Sequence, residues 1–428
     1  MRRIKAVHSW LLVIAMLTVT NGFSQADYSS PYSRFGIGDL LRTTHPAQMG
    51  MGGLSIAKRD ARLINYQNPA AYTAYDSLSF VFDGGARQHF SNWQSLDKSQ
   101  RSEYSSLGYL TMGFPITQWL KVTTGLVPVS DVGYQINNLR NIPDIGSVEQ
   151  IYEGEGGISE FFIGGGVQLS NRLSVGANAS YVWGDIDLSR LTYFPDSIYY
   201  WAAKVAQKRH ISDIKFSYGL QYVQPLSEEW QATAGLTYSN ATELSATEQR
   251  LSTQIIRNPN GAESVHDTVS YSPDNKGSIT MPASYGIGLM FEKNDRLRIG
   301  VDYRHDNWEE YKAFGNPEDS LQNSNFFAIG AELWPEHNVL SSYFRKMKYR
   351  IGFHYSDTYL NLNNTTLSEV GIGFGVGLPV QSSGSSVNLG VEIGRRGTTD
   401  NALVKENYIK FTLGISIFER WFIKRKYQ

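Results

Sequence analysis

The chain has 428 residues and no cysteine, and its 39 Lys and Arg balance 40 Asp and Glu. The lack of cysteine excludes disulfides, thiolate metal sites, a cysteine nucleophile and an acylated N-terminal cysteine. The charge balance leaves no basic stripe that would bind nucleic acid. Counts of 40 Gly, 26 Tyr and 9 Trp are unusual for a chain that shows no apolar run of about 18 residues after its N-terminus, so we expect no membrane-spanning helix.

The N-terminus has the pattern of an export signal. Three basic residues precede the apolar run 10–19, and Ser24 and Ala26 supply the small side chains that a signal peptidase reads. We therefore expect residues 1–26 to be a signal peptide and the mature chain to begin at Asp27.

A glycine-punctuated stretch follows at residues 48–72. Its 49–53 part, Met-Gly-Met-Gly-Gly, favours a tight turn at positive φ. Residues 57–64 have the composition of a short helix, and the pair Asn68-Pro69 marks a turn or a helix start. An ordinary surface loop is the alternative interpretation of this stretch alone.

From residue 78 onward, apolar residues alternate with polar residues or glycine, as in 230–239, where Trp, Ala, Ala, Leu and Tyr alternate with Gln, Thr, Gly, Thr and Ser. A period of two predicts β-strands. Strands of about 9 to 12 residues, the length that crosses a membrane at a tilt, are predicted to number about 14, an even number as in a closed antiparallel barrel. They lie near 78–88, 104–114, 119–130, 158–169, 172–185, 211–224, 230–244, 282–292, 296–308, 324–334, 347–356, 367–379, 386–396 and 406–418.

The connections between these strands alternate in length. Tight turns alternate with stretches predicted as long loops, which are 89–103, 131–157, 186–210 and 245–281. Outer-membrane barrels have this asymmetry, with short turns in the periplasm and long loops outside, whereas a soluble β-sandwich has no reason to show it. The prediction is therefore an all-β fold, a transmembrane antiparallel barrel over 78–420 with a basic periplasmic tail over 421–428.

Two sets of side chains have predicted positions in such a barrel. Aromatic residues at strand ends are expected in an interfacial girdle, with burial in a core as the alternative: Trp119, Trp183, Trp230, Tyr238, Trp308 and Trp334. Charged residues on the inward face are expected to pair with one another, with water, or with Lys58, Arg59, Asp60 and Arg62: Lys121, Arg298, Asp302, Arg304, Arg350, Glu392 and Lys410.

The sequence contains no motif that indicates an enzyme or a cofactor. The glycines of 371–377 recur at every second residue of a predicted strand, unlike a phosphate-binding loop that opens a helix. The eight His lack metal-ligand spacing, and there is no G-x-S-x-G elbow. We predict that the protein is not an enzyme and binds neither a metal nor a cofactor.

The glycine-rich stretch resembles the FadL, TodX and OmpP1 family of outer-membrane proteins, in which a G-x-G-x-A element precedes an Asp and then Asn-Pro-Ala. The matching residues are Gly50, Gly52, Gly53, Ala57, Asp60, Asn68, Pro69 and Ala70. A barrel of this width cannot be filled by its own side chains, and residues 27–77 are expected to supply its plug. The resemblance implies a place in the outer membrane of a Gram-negative bacterium and passive uptake of fatty-acid-like or aromatic molecules, released sideways into the lipid bilayer.

Residues 30–39 depart from the N-terminus of such transporters. The alternative function is therefore that of a non-transporting barrel subunit in an envelope secretion or assembly complex. Tyr199, Tyr200 and Trp201, in a predicted long loop, would suit a surface for another envelope protein.

Pro128 lies in the third predicted strand, between Gly125 and Gly133. Proline lacks the N–H that a closed barrel needs, so it implies a bulge, a kink or a strand end. An inward kink would open the wall beside these three residues, and we predict a lateral gate there. The alternative is that Pro128 ends the strand at the outer interface.

Overall fold

A computed structural model describes residues 30–41, 45–196, 200–257, 262–336, 342–380 and 384–420. The predicted signal peptide, Tyr199 and the basic tail lie outside these residues. Among the described residues, no helix is long and apolar enough to cross a membrane.

The described residues form strands and only short helices. Two α-helical turns span Pro46–Met49 and Tyr343–Lys346, and four 3-10 turns span Pro31–Arg34, Pro69–Ala74, Trp308–Glu310 and Asp400–Ala402. The strands are β1 (Asp39–Leu40), β2 (Ser79–Gln94), β3 (Ser99–Pro115), β4 (Leu120–Ile142), β5 (Gly146–Gln168), β6 (Leu173–Tyr193), β7 (Ala202–Pro225), β8 (Trp230–Ser239), β9 (Thr242–Arg257), β10 (Glu263–Met281), β11 (Ser284–Lys293), β12 (Leu297–Asp306), β13 (Lys312–Ala313), β14 (Asn316–Pro317), β15 (Ser324–Leu333), β16 (Lys348–Leu362), β17 (Thr365–Pro379), β18 (Ser386–Arg396) and β19 (Lys405–Arg420).

The sheet closes into an antiparallel barrel because β19 pairs with β2, from Arg420 opposite Ser79 to Lys405 opposite Gln94. Strands β8 and β9 both pair with β7 and form one barrel strand, and β10 and β11 form the next. With these two pairs merged, and the short β1, β13 and β14 set aside, the wall has 14 strands. The predicted fold class is confirmed.

Alternation along each strand separates the two faces of the wall. On β16, Ile351 and Phe353 are exposed on the outside, whereas Arg350 and His354 are buried on the inside. An apolar outer face is typical of a barrel that spans a membrane. The prediction that Trp308 lies in the interfacial girdle is wrong. Trp308 follows β12 in a 3-10 turn and is buried in a core.

The wall is taller on one side than on the other. Strands β4 to β7 have 21 to 24 residues, whereas β12 and β15 have 10. We call the end with the turns 116–119, 169–172 and 226–229 the short-turn end, and the opposite end the tall end. The predictions of long loops were wrong over most of their length, because 89–94, 131–142, 146–157 and 245–257 continue the strands. Outside the apolar band the outward residues are polar, as Gln135 is on β4, so the lipid-facing alternation ends although the ladder continues.

A hydrophobic core lies inside the tall end. It is built from wall residues such as Ile158, Ile211 and Leu244 together with Tyr32 and Ile37, which precede β1. Residues near the N-terminus therefore complete this core instead of extending away from the barrel.

Candidate functional site

Two stretches of chain before β2 lie against the inner face of the wall. Residues 45–75 are here called the inner segment, and residues 30–41 the edge segment. The predicted helix over 57–64 is wrong, since those residues form bends and irregular backbone. Side chains meet some of the hydrogen bonds that a helix would make, since the N–H of Arg62 donates to Asp60 at 2.9 Å and the carbonyl of Lys58 accepts from Asn65 at 3.0 Å.

The glycine-rich turn of the inner segment packs directly on the wall. Gly52 and Gly53 have φ of 70° and 95°, as predicted for a tight turn at positive φ. A Cβ on Gly352 of β16 would lie 2.0 Å from the carbonyl carbon of Met51. The inward glycines of the strands thus allow backbone to approach backbone. This role was missed from the sequence, although inward glycines were visible as part of the alternation.

Asp60 joins the inner segment to the wall through ion pairs. Its carboxylate lies 3.1 Å from Arg298 and 3.2 Å from Lys348, and Arg298 also contacts Glu332 at 3.0 Å. Burial raises the pKa of Asp60, but Lys348 and Arg298 outweigh burial and hold that pKa below its usual range. The predicted pairing of inward charges with the inner segment is present here.

Lys58 is buried in the inner segment, and no carboxylate of the described residues forms an ion pair with it. Its Nζ donates to the carbonyl oxygen of Ala47 at 3.0 Å and lies 3.5 Å from the sulfur of Met51. Burial lowers the pKa of Lys58 to about 7. Inside the barrel, this ammonium group is therefore easily deprotonated.

The Asn68-Pro69-Ala70 element begins the 3-10 turn Pro69–Ala74, as predicted. The Asn68 side chain accepts from the N–H of Ala70 at 3.1 Å and donates to the carbonyl of Ile56 at 2.6 Å. Asn68 is fully buried. One amide thus caps the turn and also fixes the preceding loop.

Two wall carboxylates that the sequence did not single out for this role bind the inner segment. Asp302 accepts from the N–H groups of Ser55 and Ile56 at 2.7 and 2.9 Å. Asp83 lies 2.8 Å from Nε2 of His45, whose Nδ1 accepts from the N–H of Ala47. Since Nδ1 is an acceptor, Nε2 carries the proton and donates to Asp83. Nothing in the strand pattern distinguishes a carboxylate that binds buried backbone from one that faces water.

The wall opens between β3 and β4. Their ladder has six residue pairs, from Pro115 opposite Lys121 to Leu110 opposite Leu126. From there toward the tall end, the two strands do not pair with each other. Pro128 lies just beyond the last pair, and the ladder between β4 and β5 shifts register between Pro128 and Ser130. We call this separation the seam.

The edge segment takes the place of β3 beside β4 at the seam. Asp39 and Leu40 pair with Asp131 and Ser130, and the N–H of Ser30 donates to the carbonyl of Gly133 at 2.9 Å. Asp39 also forms an ion pair with Arg396 of β18 at 3.0 Å.

The residues of the predicted gate lie on one strand but play different parts. Gly125 lies within the ladder, where a Cβ would approach Thr111 to 2.5 Å. Pro128 lies at the bulge, and Gly133 contacts the edge segment. The motif residues Gly50, Gly52, Gly53, Asp60, Asn68, Pro69 and Ala70 all belong to the inner segment, so the two predicted sites are separate.

Two cavities lined by described residues lie inside the barrel. One of ≈ 260 Å³ reaches Val127, Pro128 and Val129 and also touches the inner segment at Tyr66. The other, of ≈ 130 Å³, has charged lining residues, including Lys410, which lies 3.1 Å from Glu392. The interior thus offers a mixed apolar and polar space beside the seam and a charged chamber elsewhere.

The fold and these inner contacts define a closed barrel that contains a segment of its own chain. Solved structures share this fold: the CymD monoaromatic hydrocarbon channel (15% identity, TM-score 0.56, 90% of this chain and 98% of that one) and the Ralstonia pickettii toluene transporter TbuX (14%, 0.57, 89% and 99%). A Pseudomonas aeruginosa FadL homologue is similar as well (12%, 0.58, 90% and 100%). The resemblance to FadL-type proteins is confirmed as a likeness of fold, and none of these structures is described as an enzyme.

The chain belongs to the BamG family, whose model matches residues 4–428. No curated protein sequence matches the chain.

Proposed function

We propose that the protein is an outer-membrane barrel that lets small hydrophobic molecules pass and releases them sideways into the bilayer at the seam. The observation that carries this proposal is the end of the β3–β4 ladder at Leu110 and Leu126, beside the Pro128 bulge. In this proposal residues 1–26 direct export, residues 27–77 are the plug, and the short-turn end faces the periplasm.

The cavity beside the seam has a suitable size and a partly apolar lining. It has a volume of ≈ 260 Å³, and it is lined by Leu40, Leu41, Val127 and Met281 together with the charged residues Glu160, Lys215, Arg304 and Asp306. A cavity of about 150 Å³ is enough to bind benzene. One small aromatic or aliphatic molecule would fit there, beside Tyr66 of the inner segment and Val127 and Val129 of β4.

Val129→Trp tests this passage by filling the cavity. We expect cells with this variant to take up toluene no faster than cells that lack the protein, because the indole ring blocks the space beside Pro128. Ile163→Trp is the matched control, since Ile163 is 55% exposed on the outer face. If Val129→Trp assembles normally and toluene enters at the wild-type rate, the proposed passage is wrong.

A second candidate function is that of a barrel subunit in an envelope secretion or assembly complex. The observation that favours it is the closure of the interior: Asp60, Asp302 and Asp83 tie the inner segment to the wall, and a hydrophobic core lies inside the tall end. Exposed Tyr200 and Trp201 suit a partner surface. Purification in a mild detergent tests it: stoichiometric envelope proteins with no uptake defect on gene deletion would support this function, and a lone barrel would contradict it.

A further inference from the structure

Two strands at the tall end have long edges without a partner among the described residues. Nine consecutive residues of β3, from Leu107 to Ser99, pair regularly with β2 and with no strand on the other side. On β10, residues 263–277 pair only with β9. Such edges carry unpaired backbone donors and acceptors and are templates for another strand.

The two edges differ in their protection against pairing. The β10 edge has three register shifts and Pro273, which are devices that keep an edge from accepting a strand. From Leu107 to Ser99, β3 has no register shift and no proline. The β3 edge is therefore the one that is suited to pairing.

The chemistry of the β3 edge defines its occupant. A lipid acyl chain offers neither a donor nor an acceptor to the alternating N–H and C=O groups, whereas an extended polypeptide offers both. Across the seam, the edge segment already pairs with β4 in this way. At the tall end of the seam lies a cleft of ≈ 250 Å³. It is lined by Trp93, Ser99 and Gln100 on one side and by Tyr134 on the other.

We propose that residues 99–107 of β3 are a docking edge for an extended segment of another envelope protein, which joins the sheet as an added strand. Arg101 and Glu103 are exposed on this edge, so the segment that fits carries an acidic and a basic residue opposite them. This inference is independent of passage through the barrel, because the docked strand lies nearer the tall end than the cavity beside Pro128.

A photo-reactive residue in place of Leu107, introduced in the native host, tests the proposal. We expect a cross-link to one polypeptide, always through the same peptide of that partner, and none from the same residue in place of Val269 on β10. Cross-links only to lipid, or only within this chain, would overturn the proposal.

Two proline variants show whether the contact is a strand pairing. Successive residues of a strand point their N–H groups to opposite sides. One of the variants Ser105→Pro and Ser106→Pro therefore removes an N–H that points toward β2, and the other removes an N–H that points toward the seam. We expect the seam-facing variant to lower the cross-link about tenfold while the barrel keeps its heat resistance. We expect the other variant to lower heat resistance, and the control Ser270→Pro on β10 to leave the cross-link unchanged. A cross-link at the wild-type level in both variants would contradict strand addition.

Discussion

The inner segment and the edge segment are both buried in the barrel, yet they are held in different ways. The inner segment fits against inward glycines, and wall side chains bind its backbone, as Asp302 binds Ser55 and Ile56. The edge segment is held by the two residue pairs of β1 with β4, by the ion pair between Asp39 and Arg396, and by Tyr32 and Ile37 in the tall-end core. Wall side chains bind its backbone as well, since Tyr359 donates to the carbonyl of Gly38 at 2.6 Å. The inner segment lies with its backbone against inward glycines of several strands, whereas the ladder of the edge segment is only two residue pairs long. We infer that the inner segment is held more firmly than the edge segment.

Gly352→Val should have the largest effect on the inner segment. Its Cβ would lie 2.0 Å from the carbonyl carbon of Met51. Because this contact is with backbone, the clash can be relieved only by a movement of the backbone. We expect loss of the heat-resistant barrel on unheated electrophoresis. Gly165→Ala is the control, because its Cβ finds nothing nearer than 3.9 Å. Normal assembly of Gly352→Val would contradict the close fit.

Asp60→Asn should have the next largest effect, since it leaves Lys348 without its carboxylate inside the barrel. We expect the free energy of unfolding to fall by about 3 kcal/mol, measured by urea titration in lipid vesicles. The double variant Asp60→Asn with Lys348→Met should regain part of the loss. Additive losses in the double variant would show that the pair is not coupled.

Lys58→Met should show a pH-dependent effect. The pKa of Lys58 is lowered to about 7 in the folded protein, against about 10.4 in the unfolded chain. Between these values the unfolded chain binds the additional proton, so the wild type becomes more stable as pH rises through this window. Relative to Lys58→Met, we expect the wild type to gain about 2 kcal/mol from pH 7 to pH 9. A difference that is constant with pH would show that Lys58 keeps its charge.

Asp39→Asn should have the smallest effect on stability and a larger one on the edge segment. It removes the ion pair with Arg396, which keeps its second partner, Glu406. We expect a loss of about 1 kcal/mol or less in unfolding free energy, with faster hydrogen exchange confined to residues 30–41. A global loss of protection would mean that the edge segment supports the whole barrel.

The sequence predicted the barrel well because alternation is strong wherever one face of a strand meets lipid, as on β11 and β16. It failed at the tall end, where residues such as 131–142 continue the strand without an apolar outer face. It grouped the motif from Gly50 to Ala70 correctly as one segment. It counted Asp302 among the inward charges that could pair with that segment, but it did not predict that Asp302 binds backbone N–H groups there. It did not identify Asp83, because contacts between residues so distant in the chain leave no local pattern.

Hydrogen exchange of the protein in lipid nanodiscs, followed by mass spectrometry, tests the central claim most directly. The claim is that the inner segment is held more firmly than the edge segment. We expect amides of residues 45–75 to exchange as slowly as those of β16 and β17. We expect amides of residues 30–41 to exchange at least ten times faster, which corresponds to a difference of about 1.4 kcal/mol in the free energy of local opening. Fast exchange throughout residues 45–75, or equal protection of the two segments, would contradict the account.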